Sequence, residues 1–207
     1  MMHEDGRVTD PGPSNLLTVV GVAIIAYAAC DMVHEVLGHG LPTLLSSDVR
    51  AVMLTTVALS TDGSSRAVVA GGTIANVIAA LLAFLVFQRM KGFGATRYFA
   101  WLFATVNLLN AAGYFILSGL LGSGDWAVVI ADLQPQLVWR AMLSILGLVA
   151  YVASTYMSAQ VLAALVRSGD IRQRDVQRLI FPAYAVGGVL LVAGAALNLG
   201  GQLKSRH

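Results

Sequence analysis

Two histidines and a glutamate stand together in the run His34-Glu35-Val36-Leu37-Gly38-His39. The run reads as the zinc-metallopeptidase pattern H-E-x-x-H. His34 and His39 lie one turn plus one residue apart on a helix, so their imidazoles are expected to converge on one ion. Glu35 then sits beside that ion, placed to accept a proton from metal-bound water and later to protonate a leaving amine. Zinc, one Zn2+ per chain, suits two imidazoles and a carboxylate with one position left open. It would bring the pKa of a bound water toward ~7. The chain has only four histidines and two glutamates, so the clustering is specific. The plainer alternative is a polar helix end at a membrane interface.

Elimination narrows the third ligand. The residues after His39, Gly40-Leu41-Pro42-Thr43-Leu44-Leu45, lack the glycine and histidine of the longer metzincin pattern. The other glutamate, Glu4, lies in a polar tail. Among the aspartates, Asp5, Asp10, Asp170 and Asp175 fall on the far side of the membrane from the histidines. Asp48 and Asp62 sit in a surface segment. Asp125 and Asp132 follow the third apolar helix on the histidines' own side. His34 lies 18 residues past Leu16, ~27 Å along a helix rising ~1.5 Å per residue, near the end of its span. The third helix runs the same way and delivers Gly124-Asp125-Trp126 to that end. Gly119, Gly122 and Gly124 let the backbone approach closely. Asp125 is therefore the expected ligand, and Asp132 the reserve. Asp31, one turn before the motif, could orient His34 or Glu35 or serve a local polar patch. Asn76, Asn107 and Asn110 could bind substrate backbone or an oxyanion, although such residues more often hydrogen-bond between helices.

These groups must be positioned by apolar helices. The chain has 207 residues, 57% of them hydrophobic and 12% charged, with mean hydropathy +0.74. Soluble domains carry about 25% charged residues. Lipid is the expected solvent, and a charged group in a membrane helix costs roughly 2.5–3.5 kcal/mol by insertion scales. The expected fold is an all-α polytopic membrane protein. Five transmembrane helices are read at Leu16–Leu45, Ala67–Gln88, Tyr98–Leu121, Ala141–Val166 and Leu179–Leu199. Gly38, Gly40 and Pro42 are expected to loosen or end the first. Segment 46–66 is β-branched and too short to span, with a turn signal at Asp62-Gly63; a strand or hairpin on the membrane surface, or an interfacial loop, is expected.

The organisation follows. Residues 1–15 form a polar tail and 16–126 a catalytic membrane core. Residues 127–200 supply two scaffold helices with their loops, without an ionisable side chain in either span, and 201–207 a polar tail. The run from Leu16 is too long for a signal-peptide core. The single cysteine, Cys30, forms neither an intrachain disulfide nor a cysteine-only zinc cage. A net charge of +2 is too mild to suggest nucleic acid. Lysine and arginine divide eight to five between the two sides, favouring a cytoplasmic N-terminus by a small margin.

The chain resembles the site-2 protease group of intramembrane zinc metallopeptidases, peptidase family M50, in its M50B-like branch. The resemblance covers roughly residues 16–126. It rests on the His34–His39 run, on Gly71-Gly72-Thr73-Ile74-Ala75-Asn76, and on Asn107-Leu108-Leu109-Asn110. Thr73 stands where the family pattern usually has proline. The family's leucine-aspartate-glycine motif, which supplies its third ligand, is absent, so Gly124-Asp125-Trp126 would replace it. The resemblance implies hydrolysis of peptide bonds in or near transmembrane segments of other membrane proteins, with the substrate held as an added strand along segment 46–66. It also implies a cytosolic catalytic end, opposite to the charge count. The competing reading is a non-catalytic metal-binding pseudoprotease, or a scaffold for partner transmembrane helices; a small transporter is a third class. The sequence leaves the oligomeric state open.

Overall fold

The computed structural model describes residues 15–47, 50–54, 59–62 and 65–204, of which 50–54, 59–62 and 195–204 are described by backbone alone. Five helical spans are long and apolar enough to cross a bilayer: Leu16–Leu45, Arg66–Arg89, Ala95–Leu121, Gln136–Ser168 and Gln173–Gly194. The first is continuous but changes pitch. Helix α1 (Leu16–Met32) passes into a π-helical segment (Val33–Gly40) and then into α2 (Leu41–Leu45). Gly38, Gly40 and Pro42 thus do not end the span. Pro42 falls in the first turn of α2, where a missing N–H is tolerated. Two strands follow, β1 (Arg50–Leu54) and β2 (Leu59–Asp62). They pair antiparallel, with Arg50 opposite Asp62, Leu54 opposite Leu59, and a register shift between Ala51 and Met53. Both strands lie against the π-helical segment.

Helices α3 (Arg66–Arg89) and α4 (Ala95–Leu121) come next, then a short α5 (Asp125–Val129), α6 (Gln136–Ser168) and α7 (Gln173–Lys204). α6 starts before the expected Ala141 and α7 before Leu179, and this corrects the picture of scaffold helices without charge. α6 includes Arg140, whose guanidinium donates to the carbonyls of Gly119 and Leu120 at 3.0 and 2.7 Å and so closes the end of α4. α7 includes Asp175, which accepts from Arg172 at 2.6 Å.

The packing is that of helices with apolar groups on every side. Small side chains such as Ala23, Ala26, Ala100 and Ala183 are buried with Tyr98, Trp101 and Leu179 where α1, α4 and α7 meet. Leu81, Leu148, Val152 and Val192 point outward. Glycines set the closest crossings. Gly38 of the π-helical segment meets Gly71 and Gly72 of α3 backbone to backbone. Close approach of this kind is how helices associate in lipid, where hydrophobic burial drives little. It also brings the motif helix directly onto α3.

Candidate metal centre

Counted along the chain, three residues separate Glu35 from His39, one more than the pattern H-E-x-x-H holds. The histidines are therefore i and i+5. On an α-helix of 3.6 residues per turn they would point ~140° apart and could not share an ion. The π-helix resolves this. Its hydrogen bonds run from i to i+5, as from the Leu41 N–H to the Val36 carbonyl, so residues five apart fall much closer to one face than on an α-helix. The local change of pitch absorbs the extra residue and returns both imidazoles to one face. Their ring centroids lie 4.8 Å apart, edge to face.

Asp125 arrives from the far end of α4. Gly122 ends that helix with φ +66°, and Gly124 holds φ +89°, both in the left-handed region that glycine adopts without strain. The chain so reverses into α5, which packs on α3 and α4. Trp126 fixes it there: its indole N–H donates to Thr73 Oγ1 at 2.9 Å, and its ring packs on Phe115. Asp125 Oδ2 then lies 3.1 Å from His34 Nε2 and 3.3 Å from His39 Nε2. His34, His39 and Asp125 form a group that could hold a metal ion. Asp132, the reserve, is elsewhere: it is 87% exposed and paired with Arg66 at 3.2 Å.

The hydrogen bonds behind the histidines decide what this group is. His34 Nδ1 meets Asn76 Oδ1 at 2.6 Å. The Asn76 amide group is engaged elsewhere, donating to Asn107 Oδ1 at 2.7 Å and to the Cys30 carbonyl at 3.3 Å. Asn76 therefore presents its oxygen to His34, and Nδ1 carries the proton. His39 Nδ1 meets the Val68 carbonyl at 2.8 Å and must also be the donor. In the neutral rings both Nε2 atoms are left as bare acceptors. They face a carboxylate that is itself acceptor-only when ionised. Three lone-pair donors converging in this way could hold a cation.

No protein-family model, curated protein or solved structure matches the chain. The chemistry is therefore argued from the site alone.

Asn76 and Asn107 are fully buried. Asn110 donates to Asn76 Oδ1 at 3.3 Å, and Asn107 donates to the Phe103 carbonyl at 2.8 Å. The three asparagines thus form a relay between α3 and α4 that ends on His34, and every polar atom of the Asn76 side chain is used within it. Glu35 is buried beside His34 and lies outside the group of possible ligands. Asp31 is half-buried, and among the described residues it has no hydrogen bond to either histidine.

Three contributors were not singled out from sequence. Gly72 lies under both imidazoles: a Cβ there would stand 2.5 Å from His34 Nε2 and 2.7 Å from His39 Nε2. Tyr114 stacks on His34 with centroids 4.1 Å apart and planes 17° from parallel. Its position, four residues after Asn110 and seven after Asn107 on one face of α4, was the available signal. The Val68 carbonyl has no signature in sequence, since every residue carries one.

Proposed function

We propose that the protein is an intramembrane zinc metalloendopeptidase that cleaves peptide bonds in or near transmembrane segments of other membrane proteins. One observation carries this reading: two imidazole Nε2 atoms and one carboxylate oxygen converge, each imidazole with its Nδ1 on an acceptor, while Glu35, next to His34 in the chain and buried, lies outside the ligand set. The donor types suit zinc: ligands at ~2.0–2.1 Å in a tetrahedron stand about 3.3 Å from one another, Asp125 Oδ2 is 3.1 and 3.3 Å from the two nitrogens, and all three ligand atoms lie within 4.8 Å of one another. His34, His39 and Asp125 would hold the ion with a fourth position free. When bound, zinc supplies Lewis acidity and a nucleophilic water near neutral pH.

The chain's own residues account for the remainder. Asn76 and the Val68 carbonyl hold each imidazole in the tautomer that leaves Nε2 free. Glu35 takes a proton from the attacking water and gives it to the leaving nitrogen. The apolar surroundings keep bulk water from competing. The β1–β2 pair lies against the π-helical segment, and among the described residues each strand pairs only with the other, which would let an unwound substrate be laid on an outer edge beside the site. Unwinding matters because a peptide bond inside a helix is shielded by its own hydrogen bonds. Five spans long and apolar enough to cross a bilayer support an intramembrane setting for this chemistry.

The test is Glu35→Gln, assayed in detergent on labelled casein and on pooled single-span peptides. Cleavage is expected to disappear while one zinc per chain remains. Persistent cleavage removes Glu35 from the mechanism. Zinc bound by a wild-type protein that cleaves none of these probes would favour the non-catalytic metal-binding scaffold.

A further inference from the structure

A peptidase of this kind needs a hydrogen-bond donor for the oxygen of the scissile carbonyl, which becomes an oxyanion when water adds. Asn76 and Asn107 are fully buried and committed to other partners, and Asn110 is turned toward Asn76. The remaining polar groups on that face of α4 are Tyr114 and Ser118. Ser118 is fully buried, with its hydroxyl against Gly124, and is closed to substrate. Tyr114 is half-buried, and its ring lies flat on the His34 imidazole. Its hydroxyl makes no hydrogen bond among the described residues.

Resting on the peptidase reading, we propose that Tyr114 is a further catalytic residue: its phenol donates a hydrogen bond to the substrate oxyanion. In the step concerned, the water oxygen bonds to the carbonyl carbon and the C=O π pair moves onto the carbonyl oxygen. Tyr114 hydrogen-bonds that oxygen and keeps its own proton. Glu35 takes one water proton and delivers it to the amide nitrogen as the C–N bond breaks. One peptide and one water become an acid and an amine. The donor is idle in the resting site and positioned rigidly by the imidazole beneath it, as preorganised stabilisation requires.

The test is Tyr114→Phe, which preserves the ring that stacks on His34 and removes only the hydroxyl. Zinc content, and zinc affinity by chelator competition, should match wild type. On labelled casein, kcat should fall roughly 100- to 1,000-fold with KM nearly unchanged. Affinity for a phosphinic peptide, a mimic of the tetrahedral anion, should fall by a similar factor. A ring-fluorinated tyrosine at position 114, a stronger donor, should tighten that inhibitor and guards against a folding defect in the phenylalanine variant. Wild-type kcat and phosphinic affinity in Tyr114→Phe overturn the assignment and leave the peptidase reading intact. Loss of zinc in that variant also overturns it, because the tyrosine would then act by positioning His34. A wild-type protein that neither cleaves casein nor binds the phosphinic peptide overturns both.

Discussion

Replacing Gly72 with alanine should disable the metal site while leaving the helix that carries it intact. Gly72 lies inside α3, where alanine is the better helix former by roughly 0.8–1.0 kcal/mol, so the substitution does not threaten the helix. The added methyl would stand 2.5 Å from His34 Cε1 and Nε2 and 2.7 Å from His39 Nε2. Carbon and its neighbours are in comfortable contact at about 3.5–4.0 Å. At least one imidazole must therefore move by close to 1 Å. Neither ring is free to yield, because His34 is held by Asn76 and stacked on Tyr114, and His39 is held by the Val68 carbonyl. Metal sites tolerate errors of about 0.2 Å in ligand distance. Losing the hydrogen-bonded support of one ligand costs 10- to 100-fold in affinity, and displacing the ligand itself should cost at least the upper figure, about 2.8 kcal/mol. The assay is zinc competition against a chromophoric chelator, with circular dichroism and thermal melting as controls. A Gly72→Ala protein that binds zinc as tightly as wild type would refute the reasoning, since the rings could then not be where the site requires them.

Other variants probe separate parts. Asn76→Ala removes the acceptor that fixes the His34 tautomer and should weaken zinc binding 10- to 100-fold in the same competition assay. It should also lower the melting temperature, because Asn107 loses the buried donor that its Oδ1 now accepts from. Asp125→Ala should lose stoichiometric zinc, whereas Asp132→Ala should keep it, since its exposed pair with Arg66 contributes about 0–1 kcal/mol to stability. Deleting Leu37, an exposed residue of the π-helical segment, would reset the histidines to i,i+4. An α-helix then presents both on one face, so the deletion variant should still bind zinc, and inserting an alanine at the same place should not.

Much of the frame was legible because lipid imposes simple rules. Apolar stretches of spanning length gave five helices, and direction and depth along them brought Asp125, rather than Asp132, to the histidines. The helix ends were less legible. Arg140 and Asp175 sit inside α6 and α7 because a bound carbonyl or ion partner lets charge continue a helix beyond its apolar run. The histidine spacing was read as H-E-x-x-H, and it is one residue longer. That pattern assumes an α-helical pitch, and the accommodation depends on backbone hydrogen bonds that side-chain identities do not specify. Asn76 was readable as a polar group in an apolar helix, but its bond to His34 depends on how α3 crosses the motif helix at Gly38. That crossing also sets Gly72 beneath both imidazoles, and nothing about a glycine in sequence announces which side chain rests on it.

The most direct measurement is X-ray absorption at the zinc edge on the purified, detergent-solubilised protein, with metal quantified per chain. The account predicts one zinc per chain, bound by two imidazoles and by oxygen at about 2.0–2.2 Å, with no sulfur ligand. The imidazole signal should be lost on replacing His34 or His39. A protein that binds no zinc in stoichiometric amount, or zinc whose spectrum lacks imidazole, would contradict it.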